Sequence, residues 1–288
     1  MSIACQKFQE ALANFKWKAK KRLRSVFGRD PKYLSAGLGE ALESIRAKTE
    51  RSDWPKVSSV IHFNDMMYEG HATCYFSSGY SALFCIRQAL DKAGKRSVKS
   101  ILDFACGHGR VLRSLTAHFP EAALTAVDTN RSGVDFCAKM FGAKPVYSNI
   151  DFSNLVFDAK FDLIWVGSLF THLHAERWPK LLKLLRSVLA EDGLLIFSTH
   201  GSNAEQRLRD RQIFLFNLEP EHIAKILEEY GNHGFGYSDY RRYPGYGVSL
   251  SSPQWVTLQV NKVGLKPILH QENGWDDFQD VWAAKHKQ

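Results

Sequence analysis

The 288-residue sequence predicts a doubly wound α/β fold with a helical extension at its N-terminal side, and three observations carry that prediction. From Val98 onward, short apolar runs alternate with helical segments of crossover length, the pattern of a parallel sheet covered on both faces. The first run, Ser100–Phe104, passes into the small-residue turn Ala105-Cys106-Gly107-His108-Gly109, which opens the helical stretch Val111–His118. The second run, Ala123–Val127, closes on Asp128, 25 positions beyond Asp103.

Taken in chain order, Phe8, Leu12, Phe15, Ala19, Leu23 and Val26 recur at steps of three and four, with Lys16, Lys18, Lys20, Lys21, Arg22 and Arg24 between them. This is a basic amphipathic helix, open to two readings: docking on an anionic membrane surface or nucleic acid, or packing on the protein body. Pro31, Gly37, Gly39 and Pro55 punctuate the next stretch, and a second helix is expected over Ser81–Lys92 behind a Ser77-Ser78-Gly79 turn. Strands are expected at Ser100–Phe104, Ala123–Val127, Leu163–Val166 and Leu194–Ser198. The polar stretch Gly201–Ser252 reads as an insertion over the site, with one helix at Pro220–Tyr230. A helix over Pro253–Val263 and strands near Lys266–His270 and Asp280–Ala284 close the chain. The expected organisation is an N-terminal extension and cap over 1–95 and one catalytic domain over 96–288 carrying the insertion at about 201–252.

Composition narrows the function classes. At 44% apolar content the chain can bury a full core, and no run of about 18 apolar residues suggests a membrane span. The five cysteines, Cys5, Cys74, Cys85, Cys106 and Cys137, are widely spaced without a CxxC pair, which argues against a disulfide framework and a zinc site and for a reducing, cytoplasmic compartment. No metal site is expected, because His62, His71, His174 and His233 have no ligand spacing. Net charge is +8, much of the excess lying between Lys16 and Arg29, so anionic partners are favoured.

The turn after the first strand brings small residues and a helix N-terminus together, so the backbone can approach an anionic group closely. A carboxylate at the end of the second strand can accept from both hydroxyls of a ribose. With these two features in place, the sequence resembles the class I S-adenosylmethionine-dependent methyltransferases, of the bacterial small-molecule and glycan type. Asp103, Ala105, Gly107 and Gly109 match the family's acidic residue and glycine loop, with Ala105 where the first glycine usually stands. A dinucleotide-binding fingerprint needs a third small residue where this chain has Leu112. The resemblance extends over Asn149-Ile150-Asp151-Phe152, Phe161–Ser168, Glu191–Ile196 as the turn into the fifth strand, and Phe278–Ala284. It implies a Rossmann-like seven-stranded sheet with one antiparallel edge strand and S-adenosylmethionine as cofactor. The implied cofactor residues are Asp103, Ala105, Cys106, Gly107, Gly109, Asp128, Asp151, Phe152 and Ser168, with Asp151 accepting from the adenine amino group and Phe152 against the ring.

Methyl transfer from a sulfonium is mainly alignment, and a base is needed only where the acceptor must lose a proton. His172 and His200, near the ends of the fourth and fifth strands, are the candidate catalytic residues. Tyr237, Tyr240, Tyr243 and Tyr246, interleaved with Arg241 and Arg242, suit a sugar, an aromatic acceptor or a phosphate, or a packed loop. No Asn/Asp-Pro-Pro-aromatic tetrapeptide follows the fourth strand and no Pro-Cys nucleophile occurs, which argues against DNA methylation. The expected function is O- or N-methylation of a small molecule, sugar or glycan, with peripheral contact at an anionic inner membrane surface one reading of the basic helix. The alternatives are an RNA methyltransferase using that helix and a non-catalytic nucleotide-binding protein, against which the intact Asp103, Asp128 and Asp151 weigh.

Overall fold

The computed structural model describes residues 29–152, 155–210, 218–241 and 243–287. The expected helix over Phe8–Val26 therefore lies outside the described residues. The first described helix, α1 (Pro31–Lys48), starts on Asp30, whose carboxylate accepts from the Lys32 and Tyr33 amides, with Pro31 at the first helical position. Leu34, Leu38, Ala41 and Ile45 form its buried stripe. Gly37 lets it meet the next helix, because a Cβ there would lie 2.4 Å from that of Ala72.

That helix, α2 (Ala72–Ala93), ends on Gly94 in the left-handed conformation, φ 67°. It starts nine residues before the expected Ser81, so Ser77-Ser78-Gly79 is a helical segment and not a turn. Small residues here answer to packing. A Cβ on Gly79 would lie 2.7 Å from the Arg110 carbonyl oxygen, and the Ser78 hydroxyl donates to Asp276 at 2.6 Å.

The main sheet has the strands β1 (Ser100–Phe104), β2 (Ala123–Asp128), β3 (Lys144–Tyr147), β4 (Phe161–Val166), β5 (Leu189–Thr199), β8 (Leu265–Trp275) and β9 (Gln279–His286), while β6 (Phe235–Tyr240) and β7 (Tyr243–Ser251) form a separate hairpin. Its order is β3-β2-β1-β4-β5-β9-β8, with β1 to β5 parallel and β9 reversed between β5 and the marginal strand β8. The expected seven strands with one reversed at that end are present. Because side chains alternate across a strand, Ile101 and Leu102 enter different cores. One core takes Leu102, Phe104, Ile164 and Val166 with helices α5 (Trp178–Val188) and α8 (Pro253–Lys262). The other takes Ile101, Leu163 and Trp165 with α2, α3 (Leu112–His118) and α4 (Arg131–Phe141). Thus α2 belongs to the sheet's own core while also packing on α1.

Strand β5 starts earlier than the expected Leu194, and Glu191-Asp192-Gly193 lies within it. The pairing shifts there: Phe161 faces Leu189 but Leu163 faces Leu194. This irregularity absorbs the extra residues. The stretch from 201 to 252 is more ordered than a polar insertion with one helix. Its described part contains α6 (Ser202–Arg209), α7 (Pro220–His233) and the β6–β7 hairpin. Val248 and Leu250 on one face of β7 join Ala204, Leu208, Ile223 and Ile226 in a small core of their own.

Candidate active site

A cavity of about 620 Å³ opens at the C-terminal ends of β1, β2 and β4, the place where ligands bind in open α/β sheets. Its floor is the β1–α3 loop. Ala105, Gly107 and Gly109 all have left-handed φ, at 67°, 53° and 77°. Only the glycines hold that conformation without a steric cost; an alanine held there costs about 1–2 kcal/mol. The loop is fixed from β2, since the Ala105 and Cys106 amides both donate to the Val127 carbonyl, at 2.8 and 3.0 Å. On the far side α4 presses close, and a Cβ on Gly133 would lie 2.2 Å from the Gly107 carbonyl oxygen. Ala105, Cys106 and Gly107 line the cavity, whereas Gly109 sits behind it against Phe141 and Cys137.

Two carboxylates mark the strand ends. Asp128 lines the cavity and is part of the loop's architecture, its two oxygens accepting from the Gly107 and Asn130 amides at 2.8 Å each. A carboxylate can accept about four hydrogen bonds, so capacity for ribose hydroxyls remains. Asp103 is 2% exposed, lines the cavity and has no hydrogen-bond partner at Oδ2. Burial, with the Asp128 charge adding to it, pushes its carboxyl up to about 8. A buried carboxyl with an unpartnered oxygen at a cavity is suited to receive a donor or a cation. The Cys106 thiol shares the Gly107 carbonyl with that of Cys137, at 3.5 and 3.7 Å. Contact with Cys137, together with burial, holds it above the ordinary thiol range, as the unreactive protonated form.

Past β3, Asn149, Ile150 and Phe152 line the cavity while Asp151 is exposed and does not. Phe152 has φ 61° and meets Phe104 edge-on at 5.9 Å. At the end of β4, Ser168 also has positive φ, 55°, with its amide donating to the Ser198 hydroxyl at 2.8 Å and its own hydroxyl paired with Gln279. Three of the non-glycine residues in left-handed backbone, Ala105, Phe152 and Ser168, thus stand on the wall of one cavity. Strained backbone of this kind collects at functional sites.

The opposite wall is the hairpin. His172 lines the cavity and donates Nδ1–H to the Gly247 carbonyl at 2.7 Å, an acceptor that fixes the tautomer and leaves Nε2 with the lone pair. Burial lowers its pKa, so the ring is neutral, and Tyr246 stacks on it at 4.6 Å. His200 lies underneath. It is 4% exposed, does not line the cavity, bonds the Ser249 carbonyl at 3.1 Å, and is pushed down to about 3 by burial and then by His172. One strand edge thereby holds both candidate bases, but only His172 reaches the cavity.

The sequence assigned no role to Arg177 or Arg113, whose contacts close the site. Arg177 donates to the Gly245 carbonyl at 2.8 Å and to that of Ile150, and stacks over Phe152 at 5.0 Å, tying the hairpin to the loop after β3. On the other side the segment before α2 folds over the glycine loop. His62 stacks on His108 at 4.7 Å, Arg113 donates to the Ser58 and Val60 carbonyls, and Tyr75 donates to Asp65 at 2.6 Å. Asp65 and Met67 complete that wall. The ties that matter most, Arg113 to Ser58 and Arg177 to Gly245, span 55 and 68 positions in sequence and leave no local signal.

A methyltransferase-domain family model matches residues 101–193, the stretch from β1 into β5. A malonyl-[acyl-carrier protein] O-methyltransferase of Halalkalibacterium halodurans is 29% identical over 154 residues, 51% of this chain and 55% of the relative. A Priestia megaterium protein of the same name is 35% identical over 118 residues, 38% of this chain and 39% of its own. The chain spans about half the length of the first of these relatives, and less of the second. Among solved structures, an S-adenosylmethionine-dependent methyltransferase from Clostridium acetobutylicum superposes with a TM-score of 0.51, at 17% identity over 85% of this chain and 98% of that one. The sugar N-methyltransferase KedS8 from Streptoalloteichus gives 0.53, at 15% identity over 80% and 95%. At such identities the likeness is one of fold. Residues 101–193 match the methyltransferase-domain model, and the seven-stranded sheet that carries them has the fold of the S-adenosylmethionine-dependent methyltransferase it superposes on.

Proposed function

We propose that the protein is a methyltransferase that moves a methyl group from S-adenosylmethionine to oxygen or nitrogen of a small-molecule, sugar or glycan acceptor. The observation that carries this reading is the pairing, across one cavity, of a cofactor-type wall with a lone-pair nitrogen on His172. The wall suits the cofactor in detail. Asp103 Oδ2 lacks the donor that an amino-acid ammonium would supply, and the Ala105–Gly107 turn admits close backbone approach. Asp128 would take the ribose hydroxyls, with Phe152 against the adenine and Cys106 and Ser168 on the same wall, while Gly109 supports the turn from behind and Asp151 stands outside the cavity. When bound, the cofactor supplies an electrophilic methyl on a sulfonium sulfur.

The chain's own residues then have three tasks: to orient the acceptor, exclude water and take up a proton where the acceptor must lose one. Ser168 and Gln279 offer hydrogen bonds at the end of β4, and Tyr246 covers His172 from solvent. His172 Nε2 is the proton acceptor, held in the basic tautomer by the Gly247 carbonyl, and His200 supports that ring from below. The relatives named malonyl-[acyl-carrier protein] O-methyltransferases put oxygen acceptors first among those to test. The test has two stages: calorimetric binding of S-adenosylhomocysteine to the full chain, then release of S-adenosylhomocysteine from S-adenosylmethionine across a panel of hydroxyl, amine and carrier-bound acceptors. Absence of S-adenosylhomocysteine binding by a folded protein overturns the reading.

A further inference from the structure

Arg110 follows directly on the glycine loop and carries a charge that the described chain leaves unpaired. The residue is half-buried on the cavity wall, with its guanidinium over the face of Trp275 at 5.4 Å. Among the described residues, no carboxylate or carbonyl lies within hydrogen-bond or ion-pair distance of that guanidinium. Asp276 is near enough for the two charges to act on each other, but its carboxylate accepts from the Ser78 hydroxyl at 2.6 Å. The neighbouring arginines differ. Arg177 is committed to the Gly245 and Ile150 carbonyls, and Arg113, behind the loop, to those of Ser58 and Val60.

The place of this arginine is built. Trp275, 2% exposed, donates Nε1–H to the Ser78 carbonyl of α2 at 3.0 Å and meets Trp165 of β4 edge-on at 5.3 Å. Gly167 leaves room for the indole, since a Cβ there would lie 2.9 Å from its ring. The corner from β8 into β9 that carries Trp275 holds Asn273, Asp276 and Asp277 in left-handed backbone, at φ 53°, 57° and 52°. A guanidinium laid on a fixed indole face loses little freedom on pairing and keeps its in-plane N–H groups for a ligand.

A planar fork of N–H donors fits a carboxylate, which it can hold through two parallel hydrogen bonds. At the other end of the same strand-to-helix segment stands Asp103, a buried acid on the same cavity with an oxygen that has no partner. One unpartnered acid and one unpartnered cation, joined by a loop of small residues, match the two charges of an α-amino acid. We infer that Arg110 is the carboxylate site of this cavity and takes the carboxylate of the cofactor's amino-acid end, with Trp275 as the platform that aims it; the inference rests on the S-adenosylmethionine reading. An acceptor's carboxylate is the competing source. The base proposed for the acceptor, His172, bonds to the hairpin, whereas Arg110 shares its loop with Asp103, and this favours the cofactor.

The test compares two ligands by calorimetry on the full chain: S-adenosylhomocysteine and its decarboxylated analogue S-adenosyl-3-thiopropylamine, which keeps the nucleoside, the sulfur and the ammonium. The native chain is expected to bind S-adenosylhomocysteine about tenfold or more tighter than the analogue. Arg110→Gln is expected to remove that preference by weakening S-adenosylhomocysteine, while affinity for the analogue stays within about threefold of native. Arg110→Lys, which keeps the charge without the fork, is expected to retain part of the preference, and it serves alone if the glutamine variant fails to fold. An equal loss for both ligands overturns the inference, because it marks a residue that only holds the loop. A preference that survives in Arg110→Gln also overturns it and leaves the arginine to an acceptor. Binding of both ligands by the native chain without a preference removes the inference alone, whereas binding of neither removes the cofactor reading and the inference with it.

Discussion

Replacing Asp103 by asparagine should stabilise the free protein and weaken its ligand at once. The carboxyl is 2% exposed, has an oxygen with no partner, and is raised from 3.8 to about 8. A raised carboxyl keeps its proton in the folded state while the unfolded state has already lost it, so stability falls as pH climbs from about 4 to about 8 and is flat outside that window. At 1.36 kcal/mol per unit, the roughly three units between 3.8 and pH 7 set a ceiling of about 4 kcal/mol on what this group costs at neutrality. An asparagine side chain, of nearly the same size and without a charge, would avoid that cost. Thermal unfolding of Asp103→Asn without ligand should therefore match the native chain near pH 4 and exceed it increasingly toward pH 8. A bound cation supplies the missing partner, so the same substitution should weaken S-adenosylhomocysteine by about 1.5–3 kcal/mol, the usual worth of a hydrogen bond to a charged group. Calorimetry in buffers of different ionisation enthalpy should also register a proton released on binding near pH 7 and none in the variant. A variant with the native pH dependence of stability and native affinity would refute the placement of this carboxyl at the ligand.

Asp128→Ala removes the acceptor of the Gly107 and Asn130 amides as well as the proposed ribose acceptor, so S-adenosylhomocysteine affinity should drop by about 1–3 kcal/mol by calorimetry, with some loss of thermal stability. Gly133→Ala would drive a methyl group against the Gly107 carbonyl and should impair both affinity and stability, although position 133 lines no part of the cavity. With an acceptor in hand, His172→Ala should lower kcat about 10²–10⁴-fold for a hydroxyl acceptor and leave cofactor affinity near native. His200 is held neutral with its pKa at about 3, against 6.5 when unfolded. Its contribution is complete above pH 6.5 and is lost as pH falls toward 3, at up to about 1.4 kcal/mol per pH unit. Acid unfolding of His200→Asn should accordingly be shallower than that of the native chain.

How far the site could be read in advance depended on whether its residues are neighbours in sequence. The strand, turn and carboxylate of Asp103 to Asp128 are local, and apolar periodicity with small residues sufficed to place them. The strands of the hairpin were not legible because Phe235–Tyr240 and Tyr243–Ser251 are rich in Gly, Ser and Tyr, and the alternation of a half-buried strand is confined to the short pairs Phe235 and Tyr237, and Val248 and Leu250. Ser77-Ser78-Gly79 misled for the opposite reason. Its residues are the usual turn formers, yet Gly79 is small so that α2 can lie against the Arg110 turn, a demand visible only once the two are in contact. Asp151 marks the limit of carrying a role over by position: its neighbours Ile150 and Phe152 are on the cavity wall and it is not.

The parts of the cavity that are local in sequence form the wall proposed for the cofactor, and the parts that are distant form the opposite wall, proposed for the acceptor. This division has a physical basis. The floor needs a backbone geometry set by a few consecutive residues, and three of the surrounding left-handed residues, Ala105, Phe152 and Ser168, hold it under strain. The other side is assembled from a hairpin whose β7 packs into a small core of its own, while Phe235 and Tyr237 of β6 join one of the cores of the main sheet. Here that hairpin does two things through one strand: the Gly247 carbonyl sets which nitrogen of His172 can take a proton, and Arg177 ties the neighbouring Gly245 to the loop that ends in Phe152. A displacement of β7 would therefore move His172 and the wall around Phe152 together. On the proposed reading, the orientation of His172 and the wall around Phe152 would both follow the position of this single strand, whereas the glycine loop is anchored separately, on Val127 and Asp128.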